Sequence, residues 1–274
     1  MPPRSICLQA AFCAVILLFT AGRAAAFYTE TDRAKDFMQA QRYRDAAAVL
    51  EKVVKAEPEN GEAFFHLGLC RLRDRDYRSA DVHFRRAFAL RPSYGYVIGT
   101  ELKTAGAALL SRGMYAEAHR LLVNAAEYQP GLRKVIGVDY IDAGTAQLAK
   151  GRWNEASRLY RQAVTYRPDA RRIVASMTFD IGSDYANHGH YDRAEAVFAI
   201  TVAFDGLRRA AISDQYRFLG DRADDHDCLP LYRRAAHYGS RHNAAIGKRL
   251  LAIAATRKTE REASRYRREA SFYV

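Results

Sequence analysis

The chain has 274 residues, a formal net charge of +12, 49% apolar and 27% charged residues. That composition is globular, and the length suits one large domain or two small ones. The 17 Gly and 7 Pro exclude collagen-like and low-complexity chains, and four Cys are too few for a miniprotein stapled by disulfides.

Residues 1–26 read as a secretory signal peptide. Arg4 supplies a positive start, the apolar stretch from Ile6 to Phe19 is broken only by Gln9, and Ala24-Ala25-Ala26 places small residues before Phe27. The stretch is short for an uncleaved membrane anchor, which needs about 20 residues. Cys7 and Cys13 lie inside it, and Phe12 before Cys13 does not suit a lipidation box. Cleavage before Phe27 removes Arg4 and Arg23 and leaves a mature charge of +10. No later segment is apolar enough to span a bilayer, so the sequence predicts a periplasmic or secreted protein.

From residue 27 the chain repeats itself. Gly68, Gly106, Gly144 and Gly182 stand 38 residues apart. The same step relates Tyr77, Tyr115, Trp153 and Tyr191, then Ala80, Ala118, Ala156 and Ala194, then Phe84, Leu122, Tyr160 and Phe198, and finally Pro92, Pro130 and Pro168. A period of this size marks a stacked array. An earlier unit, with Tyr43, Ala46, Leu50 and Pro58, is offset by 34, and in a later, degenerate unit Gly220 keeps the step of 38 while Tyr232 follows Phe198 by 34. Each unit carries two helical stripes, such as Ala63, Leu67 and Cys70 followed by Ala80, Phe84 and Ala87. Gly113, Gly151 and Gly189 mark the turns between helices, and the prolines stop the second helix. The glycines and alanines keep two helices close where they cross.

Phe64, Leu67, Gly68, Tyr77, Ala80, Phe84, Ala87 and Pro92 resemble the tetratricopeptide repeat pattern, and the likeness extends over about residues 28–240. The resemblance implies an all-α solenoid of about six helical hairpins that serves as a scaffold for a protein partner. The 38-residue step is longer than the usual 34. Val97-Ile98-Gly99, Val135-Ile136-Gly137 and Ile173-Val174-Ala175 are in register after the prolines, which predicts one extra turn on each first helix and resembles lengthened repeats of exported bacterial proteins. The expected organisation is a signal peptide over 1–26, a repeat array over 27–240 and basic capping helices over 241–274. His242 to Ala255 reads as one capping helix, and Thr259 with Glu262 reads as the capping box of another. Cys70 and Cys228 fall in the second and sixth units, too far apart along such a stack for an intrachain disulfide.

The resemblance also implies that the first helices line a concave groove. Its positions here are Phe65, Leu69 and Leu72, then Lys103, Ala107 and Leu110, then Ile141, Thr145 and Leu148, then Phe179, Ser183 and Ala186. This set is apolar with few charges and does not resemble a clamp for an acidic C-terminal tail. The alternative is that the C-terminal helix or the extra turns fill the groove. The Tyr77, Tyr115, Trp153 and Tyr191 column is explained by packing at the turns rather than by a sugar-binding ladder.

Two further clusters are candidates. His188 and His190 lie in one turn, and Asp224, Asp225, His226, Asp227 and Cys228 lie in the corresponding turn of the next unit; these residue types suit zinc. The competing reading is a solvated loop in which Asp227 caps the next helix. Residues 233–274 hold 11 Lys and Arg against Glu260, Glu262 and Glu269. Arg257, Lys258, Arg261, Arg265, Arg267 and Arg268 there form a candidate anion-binding face for lipid, acidic polysaccharide or an acidic protein. Nucleic acid would suit the charge equally, but export argues against it.

No H-E-x-x-H, G-x-S-x-G, Walker loop or C-x-x-C occurs in the chain, so the sequence predicts neither an enzyme nor a cofactor. The leading expectation is an exported scaffold that binds a protein in its groove. A peripheral factor held by its basic end is the first alternative, and a metal-dependent role at the His/Asp turns the second.

Overall fold

The computed structural model describes residues 29–273, and the expected signal peptide and its cleavage point before Phe27 lie outside the described residues. Among those described there are fourteen α-helices and no strand. They fall into two compact units, one comprising the chain up to Ala105 with Val123–Gln129, the other Gly106–Leu122 with Pro130 onward. No described helix is long and apolar enough to cross a membrane.

In the first unit, α1 (Glu30–Gln39), α2 (Tyr43–Ala56), α3 (Gly61–Arg73) and α4 (Tyr77–Leu90) pair as successive hairpins. Their starts are local. Thr29 and Asp32 form a reciprocal capping box on α1, Asn60 accepts from the Ala63 amide on α3, and Asp76 accepts from the Ser79 amide on α4. Ala34, Ala46, Leu50, Ala63, Leu67 and Cys70 then make one buried core. Fully burying each of the larger side chains contributes about 1.5–3 kcal/mol.

Two helices with residues in both units follow, α5 (Gly95–Ser111) and α6 (Tyr115–Tyr128). The second unit continues with α7 (Arg133–Ala149), α8 (Trp153–Tyr166), α9 (Ala170–Asn187), α10 (Tyr191–Phe204), α11 (Arg208–Arg222), α12 (Cys228–Tyr238), α13 (Asn243–Ala255) and α14 (Glu260–Ala270). Helices α7–α8, α9–α10, α11–α12 and α13–α14 pair in turn. Helices α5, α7 and α9 have 17, 17 and 18 residues against 13 in α3, which is the expected additional turn. Short 3₁₀ turns at Pro92–Tyr94 and Pro130–Leu132 lead straight into α5 and α7.

The hairpin geometry comes from one recurring contact. A Cβ on Gly68 would stand 2.6 Å from the Phe84 ring, on Gly106 2.7 Å from Leu122, and on Gly182 and Gly220 2.6 Å from the rings of Phe198 and Tyr232. The missing side chain lets the first helix of each hairpin rest against the large residue of the second. In the degenerate hairpin this contact survives because α11 ends two residues after Gly220 and α12 begins four before Tyr232.

The C-terminal hairpin shares this core. Ile246, Leu250, Ile253, Tyr266, Ala270 and Tyr273 belong to the same buried cluster as Phe198, Tyr216 and Tyr232. Thr259 accepts from the Glu262 amide and starts α14, although the reciprocal half of the predicted capping box is not formed. Cys70 and Cys228 are free and buried, and burial pushes the Cys70 thiol up to about 11.

Candidate functional site

The groove positions separate into two groups. Phe65, Leu72, Leu110, Ile141 and Leu148 are between 2% and 8% exposed and belong to the core. This corrects the sequence reading, and the reason is helical geometry. Leu72, Leu110 and Leu148 lie four residues after a contact glycine, and Phe65 and Ile141 lie three before one, as do the half-buried Lys103 and Phe179. Both spacings return to the face that meets the second helix. Phe65 stacks on Tyr94, with ring centroids 4.8 Å apart and planes nearly parallel. Leu69, Lys103 and Phe179 are half-buried, and Phe179 lies under the guanidinium of Arg208.

The accessible face of the first helices is made of other residues. At its N-terminal end the added turn exposes Val97 (41%) in the first unit and Val135 (46%) and Ile173 (38%) in the second, at the same register position. Tyr96 and Val138 are exposed beside them in sequence. Further along the helices the face turns polar, with exposed Thr104, Asp142 and Asp180. The 38-residue step exposed this row in the sequence, but as an insertion in register; burial identifies it as surface.

Sequence reading also missed a depression of about 340 Å³ in the second unit, lined by Tyr115, His119, Tyr140, Glu155, Arg158 and Gln162. His119 Nδ1 is 3.0 Å from the Tyr140 hydroxyl, whose ionisation is pushed upward by burial. Tyr115 opens α6, and Tyr77, Trp153 and Tyr191 likewise open α4, α8 and α10, all half-buried at the turns.

The His/Asp turns do not assemble a metal centre. Among the described residues no group of three or more His, Cys, Asp and Glu lies close enough to hold an ion. His188 turns back onto Asp184 of its own helix, 2.9 Å from the carbonyl, and His190 and His226 are exposed. Asp225 is instead an anchor for the end of the chain. Its carboxylate pairs with Arg257 and lies 3.9 Å from Arg249, and its carbonyl accepts from Tyr266 at 2.7 Å. Asp227 occupies the position before α12 without a side-chain cap bond.

The basic end divides as well. Arg257 is half-buried, pairs with Asp225 and lies over the Tyr266 ring, so it is a structural residue rather than a free anion site. Arg267 pairs with Glu260 at 2.7 Å. Lys258, Arg261, Arg265 and Arg268 are exposed, and no ion pair is found for them among the described residues.

A family model described as tetratricopeptide repeat matches residues 31–94. No curated protein matches the sequence. Solved structures that resemble the chain include MamA, 19% identical with a TM-score of 0.30 over 65% of this chain and 95% of that one. Others are PilF of Pseudomonas aeruginosa, 16% identical with a TM-score of 0.28 over 88% of this chain and 96% of that one, and PilW, a type IV pilus biogenesis factor, 17% identical with a TM-score of 0.28 over 86% and 95%. The tetratricopeptide repeat match is confined to residues 31–94, and the glycine-on-side-chain hairpin contact found there at Gly68 and Phe84 recurs beyond it as far as Gly220 and Tyr232.

Proposed function

We propose that the protein is an exported, non-catalytic scaffold that binds an apolar segment of a protein partner on the first helices of its array, in bacterial envelope assembly or export. The exposed row of Val135 and Ile173, on α7 and α9 of the second unit, carries this reading. Each is a β-branched residue on a helix, where Ala or Leu has the better propensity. Each is too exposed for core packing to account for it. A partner's apolar surface covering the row supplies the missing burial. The half-buried Leu69, Lys103 and Phe179 remain candidate contacts of the same kind. Export rests on the sequence of residues 1–26 alone.

Two measurements test this reading. Chemical cross-linking in an envelope fraction should give an adduct with the parent chain that is lost in the Val135→Asp and Ile173→Asp variants while their melting temperatures stay unchanged. An adduct of equal yield from parent and variants moves the partner off this row. Mass spectrometry of the exported chain should find Phe27 at the N-terminus, and a retained 1–26 segment overturns the export reading.

A further inference from the structure

We infer that helix α14 is a docking surface for an anionic phospholipid bilayer, independent of protein capture by the first helices. The helix has two sharply different sides. Ala263, Tyr266, Glu269, Ala270 and Tyr273 are buried in the core of the second unit. Arg261, Arg265 and Arg268 are exposed at steps of four and three, which places them on one stripe, and Lys258 is exposed just before the helix. Phe272, in the turn that follows the helix, is 74% exposed.

The stripe's charge is only partly neutralised within the chain. Of the three acids in α14, Glu260 pairs with Arg267, and Glu269 is held by Arg233 through two bonds of 2.6 and 2.5 Å. Glu262, exposed in the first turn, lies three residues before Arg265 and borders the stripe, offsetting one of its charges. Helix α13 contains no acid at all and exposes Lys248 and Leu251. The stripe is also held rigidly. The Arg233–Glu269 pair, the Arg257–Asp225 pair and the Tyr266 bond to the Asp225 carbonyl fix α14 from its start to its last turn.

Charge complementarity selects an anionic partner, and Phe272 selects a bilayer among anions. The apolar face of α14 is taken up by the core, so it would meet a bilayer with its cations on the headgroups and the single Phe272 ring entering the acyl boundary. An acidic polysaccharide or an acidic protein would meet the arginines equally but would gain nothing from a ring that protrudes into solvent. Phosphatidylglycerol or another anionic phospholipid supplies the chemistry for both.

Sedimentation of the full chain with phosphatidylcholine vesicles, with and without phosphatidylglycerol, tests the inference, because the apolar stretch near the N-terminus is common to every arm. Binding should increase with phosphatidylglycerol, and that increment should weaken at high salt. Combined Arg261→Gln, Arg265→Gln and Arg268→Gln should lower partitioning roughly a hundredfold, from a factor of about five per cation. The corresponding Lys replacements should retain it. In a Phe272→Trp variant the added indole should shift its emission to the blue on anionic vesicles. Equal partitioning of the parent and the triple Gln variant overturns the inference. So does an unshifted emission accompanied by salt-sensitive binding to an acidic polysaccharide, which assigns the stripe to that polymer instead. Circular dichroism of each variant distinguishes these results from unfolding of the helix.

Discussion

Gly144 lies so close to Tyr160 that a Cβ on it would stand 2.6 Å from Cε1 of the ring. Tyr160 is fully buried, and its hydroxyl lies 3.2 Å from that of Thr145, so the ring has little room to retreat. Gly144→Ala should therefore destabilise the fold by about 1–3 kcal/mol, as overpacking in a core does. Gly131 has nothing within 4 Å of the equivalent position, so Gly131→Ala should leave stability unchanged or slightly raised. Denaturant unfolding of the two variants checks the contrast.

The turns between helices repeat a left-handed backbone. Gly113, Gly151 and Gly189 have φ of 80°, 72° and 78°, and at the matching positions Gln41 and Arg75 have φ of 57° and 66°. A side chain in this region costs about 1–2 kcal/mol. Arg75→Gly should accordingly raise the melting temperature, and Gly151→Ala should lower it. Opposite signs in a thermal melt are the expected outcome, and a destabilised Arg75→Gly would mean that the Arg75 side chain makes a contact worth more than the strain.

The Arg233–Glu269 pair ties the last helix to α12. The hydrogen bond from Arg233 is the main cause that holds the Glu269 carboxyl below its ordinary value of 4.5, against the opposing effect of burial. Its contribution to stability is therefore fully present above about pH 4.5 and is lost as pH falls through the lowered folded value. Glu269→Gln should cost about 1.5 kcal/mol at neutral pH. The difference in melting temperature from the parent should close in acid, and a difference independent of pH would assign the effect to packing.

Core and surface on the first helices give opposite responses to one substitution. Leu110→Asp places a carboxylate at a position 3% exposed and should unfold the chain or cost at least about 3 kcal/mol. Val135→Asp, at a position 46% exposed, should change stability by less than about 0.5 kcal/mol. Urea midpoints of the two variants test this assignment without any partner.

The hairpin array was legible in the amino-acid sequence because the contacts that build it are local and repeat. Gly68 and Phe84 are sixteen residues apart, and the same spacing recurs at Gly106 and Leu122, Gly144 and Tyr160, and Gly182 and Phe198. Periodicity also revealed the additional turn and the shortened last repeat. It did not separate the two sides of a first helix, because Ile141, which is buried, and Val138, which is exposed, are both apolar and only three residues apart. Burial of one and exposure of the other depend on which side the second helix occupies. Long-range pairing likewise decided the fate of the charged residues. Arg257 and Arg261 look alike in sequence, but Asp225, 32 residues away from Arg257, takes up that arginine and leaves Arg261 in solvent. The same aspartate, drawn to an arginine, is thereby withheld from the histidines with which the sequence had grouped it. Such choices are made by the distances between side chains far apart in the chain, which only the packed helices set.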